Sequence, residues 1–79
     1  LWAKEINVSA LHWINEKAED GAGIQVRIRH RAPLVNAKIF FENDGTAKIK
    51  LTDEQRAITS GQSVVFYSGE VCLGGGIVI

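Results

Sequence analysis

At 79 residues, with a formal net charge of zero and 46% apolar residues, the chain has the size and composition of one small domain. No apolar run approaches the roughly 20 residues of a bilayer-spanning helix, and no basic segment precedes a short apolar one as in a secretory signal. The neutral balance argues against a strongly basic, free-standing nucleic-acid binder. The single cysteine, Cys72, excludes an internal disulfide and fits a reducing cytoplasm. Lacking methionine and opening on Leu1-Trp2, the sequence reads as a single domain over 1–79 cut from a larger protein.

Short extended segments separated by turn residues dominate. Ile6-Asn7-Val8 and Leu11-His12-Trp13-Ile14 read as a short strand and a second extended piece, with one helical turn over Ser9-Ala10-Leu11-His12-Trp13 as the alternative, and Asn15 to Gly23 reads as a polar loop. From Ile24 to Arg31 apolar and polar residues alternate with period two, the pattern of a half-buried strand. Pro33 ends that ladder because proline has no N–H to donate. Leu34–Glu42 and Thr46–Leu51 flank Asn43-Asp44-Gly45, a hairpin signal. A two-residue loop there would mix isoleucine and lysine on one face. A three-residue loop, with Gly45 left-handed, pairs Ile39 with Ile49 and Phe41 with Ala47. It gathers Lys38, Lys48 and Lys50 on the other face, which is favoured because burying unpaired lysines is costly.

Asp53-Glu54-Gln55-Arg56 is polar and turn-like, and Ala57-Ile58-Thr59 follows it. Ser60-Gly61-Gln62 turns into the strand Ser63–Tyr67, and Ser68-Gly69-Glu70 turns into Val71-Cys72-Leu73. Gly74-Gly75-Gly76 then interrupts a run that Ile77-Val78-Ile79 resumes. About six short strands with tight turns and no long helical period predict an all-β closed barrel or sandwich. Closure also removes edges that so small a sheet cannot otherwise protect.

No catalytic constellation emerges from these residues. Cys72 sits between Val71 and Leu73, without the basic neighbours that activate a thiol, so it reads as a small buried core residue. His12 and His30 are the only histidines, too few with one cysteine for a metal site. The glycine triplet is followed by β-forming residues and not by the helix that a phosphate loop requires, so it marks a bulge or a close strand crossing. The charge distribution is more informative. Residues 1–26 carry −2 and residues 51–79 carry −2, whereas residues 27–50 carry +4. Within that third, Arg27, Arg29 and Arg31 recur at every second position and share one strand face, with His30 on the other. Guanidinium forks suit phosphate oxygens, so this stripe, with Lys38, Lys48 and Lys50, is the candidate binding surface. A solvated strand face carrying long side chains would look the same. The sequence shows no aromatic residues interleaved with these arginines, unlike single-strand binders.

Three blocks carry a family resemblance: Arg29-His30-Arg31-Ala32-Pro33-Leu34-Val35, Asn43-Asp44-Gly45, and the run from Ser60-Gly61-Gln62 through Val71-Cys72-Leu73 to Gly74-Gly75-Gly76. With the stretch from Val8 to Ile14, the chain resembles, over nearly its whole length, the C-terminal domain of tRNA-specific 2-thiouridylases. That resemblance implies a six-stranded barrel similar to the second domain of translation elongation factors. It implies a parent that thiolates C2 of the wobble uridine, using ATP and magnesium in an N-terminal domain and sulfur from a relay protein. The paired sulfur-carrying cysteines of such enzymes belong to that other domain, so Cys72 inherits no catalytic role. The family's tRNA-contacting arginine-tyrosine dipeptide corresponds to Arg29-His30, with histidine in the place of tyrosine; Ala32 and Ala37 stand where the family often has glutamine and cysteine. The expected function is that of a tRNA-contacting accessory domain that carries no cofactor itself, has no membrane role and works in the cytoplasm. A purely structural barrel and a free-standing RNA-binding module are the alternatives.

Overall fold

The computed structural model describes residues 2–56 and 58–79. The described residues form six strands: β1 (Trp2–Trp13), β2 (Gly23–Arg27), β3 (Val35–Phe41), β4 (Ala47–Arg56), β5 (Ser63–Ser68) and β6 (Val71–Val78). Every neighbouring pair is antiparallel, and the order β1-β4-β3-β2-β5-β6 closes into a barrel where β6 returns to β1. The expected all-β closed barrel is therefore the observed fold.

Alternation builds the interior. Ile24 and Val26 of β2, Ala37 and Ile39 of β3, Ala47, Ile49 and Leu51 of β4, and Val64 and Phe66 of β5 all point inward. No polar or charged side chain is buried among the described residues. Trp13 packs on this core with its ring centroid 5.5 Å from that of Phe66 and 6.1 Å from that of Phe41.

The β3–β4 hairpin has the three-residue loop that its charge pattern requires. Ile39 lies opposite Ile49 and Phe41 opposite Ala47; Glu42 N donates to Thr46 O at 2.9 Å, and Gly45 has φ 86°. The Thr46 hydroxyl donates to Asp44 Oδ1 at 2.6 Å and the Thr46 amide donates to it at 3.1 Å. These bonds, the hydroxyl's first, hold the Asp44 carboxyl below the usual aspartate range.

Three segments differ from their sequence reading. β1 is one strand and not two pieces, because a bulge absorbs the break: the register shifts between Ser9 and His12, and Ala10 has φ 51°. Asp53–Arg56 is not a turn but the end of β4, since β1 supplies a partner as far as Trp2 opposite Arg56 and Ala3 opposite Gln55. Polarity there reports an exposed ribbon and not a loop. Of the Ala57-Ile58-Thr59 stretch, Ala57 lies outside the described residues, while Ile58 packs half-buried against the core without belonging to a strand.

The glycine triplet runs inside β6, with Gly74, Gly75 and Gly76 paired to Phe66, Val65 and Val64. A methyl group at Gly75 would collide with the Val64 carbonyl oxygen, and one at Gly74 with that of His12. The close strand crossing expected here is therefore what these glycines permit.

Candidate functional site

The arginine segment bends where β2 ends. Val26 pairs with Val35, so two residues further a longer ladder would bring Ile28 against Pro33, which has no N–H to donate. The chain turns instead. Ala32 N donates to Arg29 O at 3.0 Å, closing a four-residue turn over Arg29-His30-Arg31-Ala32 in which Arg31 has φ 67°. The expected single-face stripe over Ile24–Arg31 is corrected accordingly. Arg27 alone of the three arginines is on the strand, half-buried, whereas Arg29, His30 and Arg31 are exposed on the turn. His30 is thus not turned inward, as strict alternation required, but stands exposed next to Arg29.

Neighbouring strands hold these side chains in place. Arg27 Nε donates to Ala32 O at 3.1 Å and its Nη1 to Tyr67 Oη at 3.3 Å, with the guanidinium carbon 5.3 Å from the Tyr67 ring centroid. Arg29 Nη2 donates to Arg56 O at 2.5 Å. The Arg56 guanidinium in turn lies 5.6 Å from the centroid of the Trp2 ring, which is 63% exposed. Arg27, Arg29 and His30 converge with Ser63, Val65 and Tyr67 of β5 to line an open groove of about 280 Å³. Each of the two Arg–aromatic pairs joins strands far apart in sequence: β5 supplies Tyr67 to Arg27 of the arginine segment, and β1 supplies Trp2 to Arg56 of β4.

The lysines form a separate face. Lys38 lies opposite Lys50, and Lys48 opposite Phe40, along the β3–β4 wall. None of the three lines the groove. Lys48 Nζ is 3.6 Å from Glu5 and 3.9 Å from Glu42, and Lys50 Nζ is 5.3 Å from the Phe40 ring centroid, with Glu5 as its cross-strand neighbour on β1. Local partners therefore offset part of this positive charge.

Cys72 is half-buried opposite Tyr67 rather than enclosed in the core, because alternation on β6 gives the inward place to Leu73. Among the described residues no group of three or more His, Cys, Asp or Glu gathers as a metal site, and no helix is long and apolar enough to cross a membrane. Tyr67, Arg56 and Trp2 are the site neighbours that sequence reading missed. Outward alternation on β5 marks Tyr67 as surface-facing; what no local pattern reveals is that β5 lies beside β2, 40 residues away at the Arg27–Tyr67 bond.

Comparison with known proteins places this geometry in context. The family model described as "Aminomethyltransferase beta-barrel domain" matches residues 3–78. A protein named tRNA-specific 2-thiouridylase MnmA from Halothermothrix orenii is 39% identical over 79 residues, covering 99% of this chain and 22% of its own length. Proteins of the same name from Shewanella oneidensis and Shewanella halifaxensis are 42% and 37% identical, each with 99% of this chain and 21% of the relative aligned. The chain spans about a fifth of the length of the curated relatives it matches. The chain therefore belongs to the aminomethyltransferase β-barrel domain family, as the barrel found in the C-terminal region of tRNA-specific 2-thiouridylases.

Proposed function

We propose that this barrel is the tRNA-positioning domain of an enzyme that 2-thiolates the wobble uridine, acting through phosphate contacts and contributing no catalytic group. Arg29 carries the contact. Arg27, His30 and Arg31 support it, and Lys38, Lys48 and Lys50 add a weaker field along the adjoining wall. The observation behind this reading is the groove at which Arg27, Arg29 and His30 converge in a chain of zero net charge. Concentrated positive charge at one place on a neutral barrel suits an anionic backbone and fixes register without reading sequence. On this reading the other domains of the parent bind ATP and magnesium and meet the sulfur-relay donor, and the enzyme works in the cytoplasm on its tRNA.

The test is equilibrium tRNA binding by the full-length protein. Arg29→Ala should weaken tRNA binding roughly tenfold and lower the salt slope by about one, the signature of a lost phosphate contact. ATP binding should be unchanged. Lys48→Ala should matter less, because Glu5 and Glu42 already face that ammonium. Normal tRNA affinity after replacing all three arginines would instead favour a barrel that only packs against the rest of its protein. Exposed Ile14, Val71 and Ile79 are the features that speak for that second reading.

A further inference from the structure

We propose that the groove between the 29–32 turn and the outer face of β5 seats one unpaired nucleotide of the bound RNA, with Tyr67 as its stacking wall and Arg27 as the group facing its phosphate. This rests on the tRNA reading above and extends it from charge to a shaped site. Phosphate contact alone needs cations and no ring. Here an aromatic ring and two guanidinium groups line one concavity, floored by half-buried Val65 and edged by exposed Ser63. Unstacked RNA bases are recognised by that combination, resting on aromatic faces or guanidinium planes while cations meet the backbone. The volume, about 280 Å³, falls near the roughly 300 Å³ lower bound of small-ligand pockets and suits a single nucleotide. A paired duplex presents no loose base to such a groove.

The parts are held in position before any ligand arrives. Arg27 lies on β2 opposite Val65, and Tyr67 lies on β5 opposite Gln25, so two paired strands and not a loop set their separation. The bonds from Arg27 to Ala32 O and Tyr67 Oη fix the guanidinium, which reduces the entropy lost when it meets a phosphate. Tyr67 is the only tyrosine in the chain. It brings a phenol ring into the groove that His30 also lines.

The experiment measures binding of full-length protein to its tRNA and to a fully paired RNA duplex, by fluorescence anisotropy across a salt series. Tyr67→Ala should raise the Kd for tRNA roughly tenfold, as loss of one stacked base does. The salt slope should be unchanged, since no charge is removed. Duplex affinity should not move. Tyr67→Phe keeps the ring and should stay within about threefold of the parent. Ser63→Glu, at an exposed position on the groove edge, should weaken tRNA binding severalfold by placing a carboxylate beside the phosphate. It decides the question should Tyr67→Ala lower the melting temperature. If Tyr67→Ala and Ser63→Glu leave tRNA affinity intact while Arg29→Ala weakens it, the groove is empty and the tRNA reading stands without it. Silence of Arg29→Ala as well removes both. Equal losses for tRNA and duplex overturn the unpaired-nucleotide assignment.

Discussion

Arg31 occupies the left-handed region, at φ 67°, in a turn position where glycine is the ordinary occupant. A side chain there costs about 1–2 kcal/mol. Ala10 is in the same region at φ 51°, but it sits in the bulge that lets β1 pass from β4 to β6, where the strain serves barrel geometry. Arg31 follows two of the groove's lining residues, and its strain is accounted for on the proposed reading by what its side chain does for RNA. Arg31→Gly should therefore separate the two properties. Relief of strain should exceed the added freedom of the unfolded chain and raise stability by about 0.5 kcal/mol. The tRNA affinity of the full-length protein should fall severalfold in the same variant. Chemical denaturation midpoints and tRNA titration read the two effects, and a variant that is less stable or binds normally would contradict this account of Arg31.

Among the elements, β6 has the least room. It is paired on one side to β5 and on the other to β1, and its three glycines are all buried. Gly75→Ala should cost more than about 3 kcal/mol, because the added methyl meets the backbone of Val64 and not a yielding side chain; loss of soluble expression or a large drop in melting temperature would register it. The triplet's packing role was legible in sequence because β-forming residues follow it. So was the β3–β4 hairpin, whose lysines and isoleucines sort onto separate faces in only one loop length. The end of β2 was not legible from alternation. Periodicity continues through Ile28 to Arg31, and the stop comes from a pairing partner, Val35 opposite Val26, whose register brings Pro33 into line with Ile28. The same non-local cause hid the full length of β4, whose polar end is a strand because β1 reaches it. At the candidate site, sequence supplied the basic residues, and the strand order supplied Tyr67, Arg56 and Trp2 beside them.

For the whole molecule, zero net charge and the gathering of Arg27 and Arg29 at one groove have opposite effects. On the proposed reading, long-range attraction to RNA is weak, and contact at the turn takes effect only once another part of the protein has brought the tRNA near. The isolated barrel should therefore show no saturable tRNA binding below about 100 µM at physiological salt, within the non-specific range. A tight complex of the isolated barrel would mean that the contact needs no help from other domains. The way the barrel closes also bears on how it forms. β1 meets β6 with Val8 opposite Val78 and Ser9 opposite Ile77, contacts between the two ends of the described sequence, whereas the β3–β4 and β5–β6 hairpins are local. Loop-closure entropy must be spent before the β1–β6 seam gives any return, so the hairpins form first and the seam last, on the millisecond-to-second scale of barrels with non-local pairing. Until that moment β1 and β6 are open edges, and a seam defect prolongs the interval in which two folding chains can pair with each other.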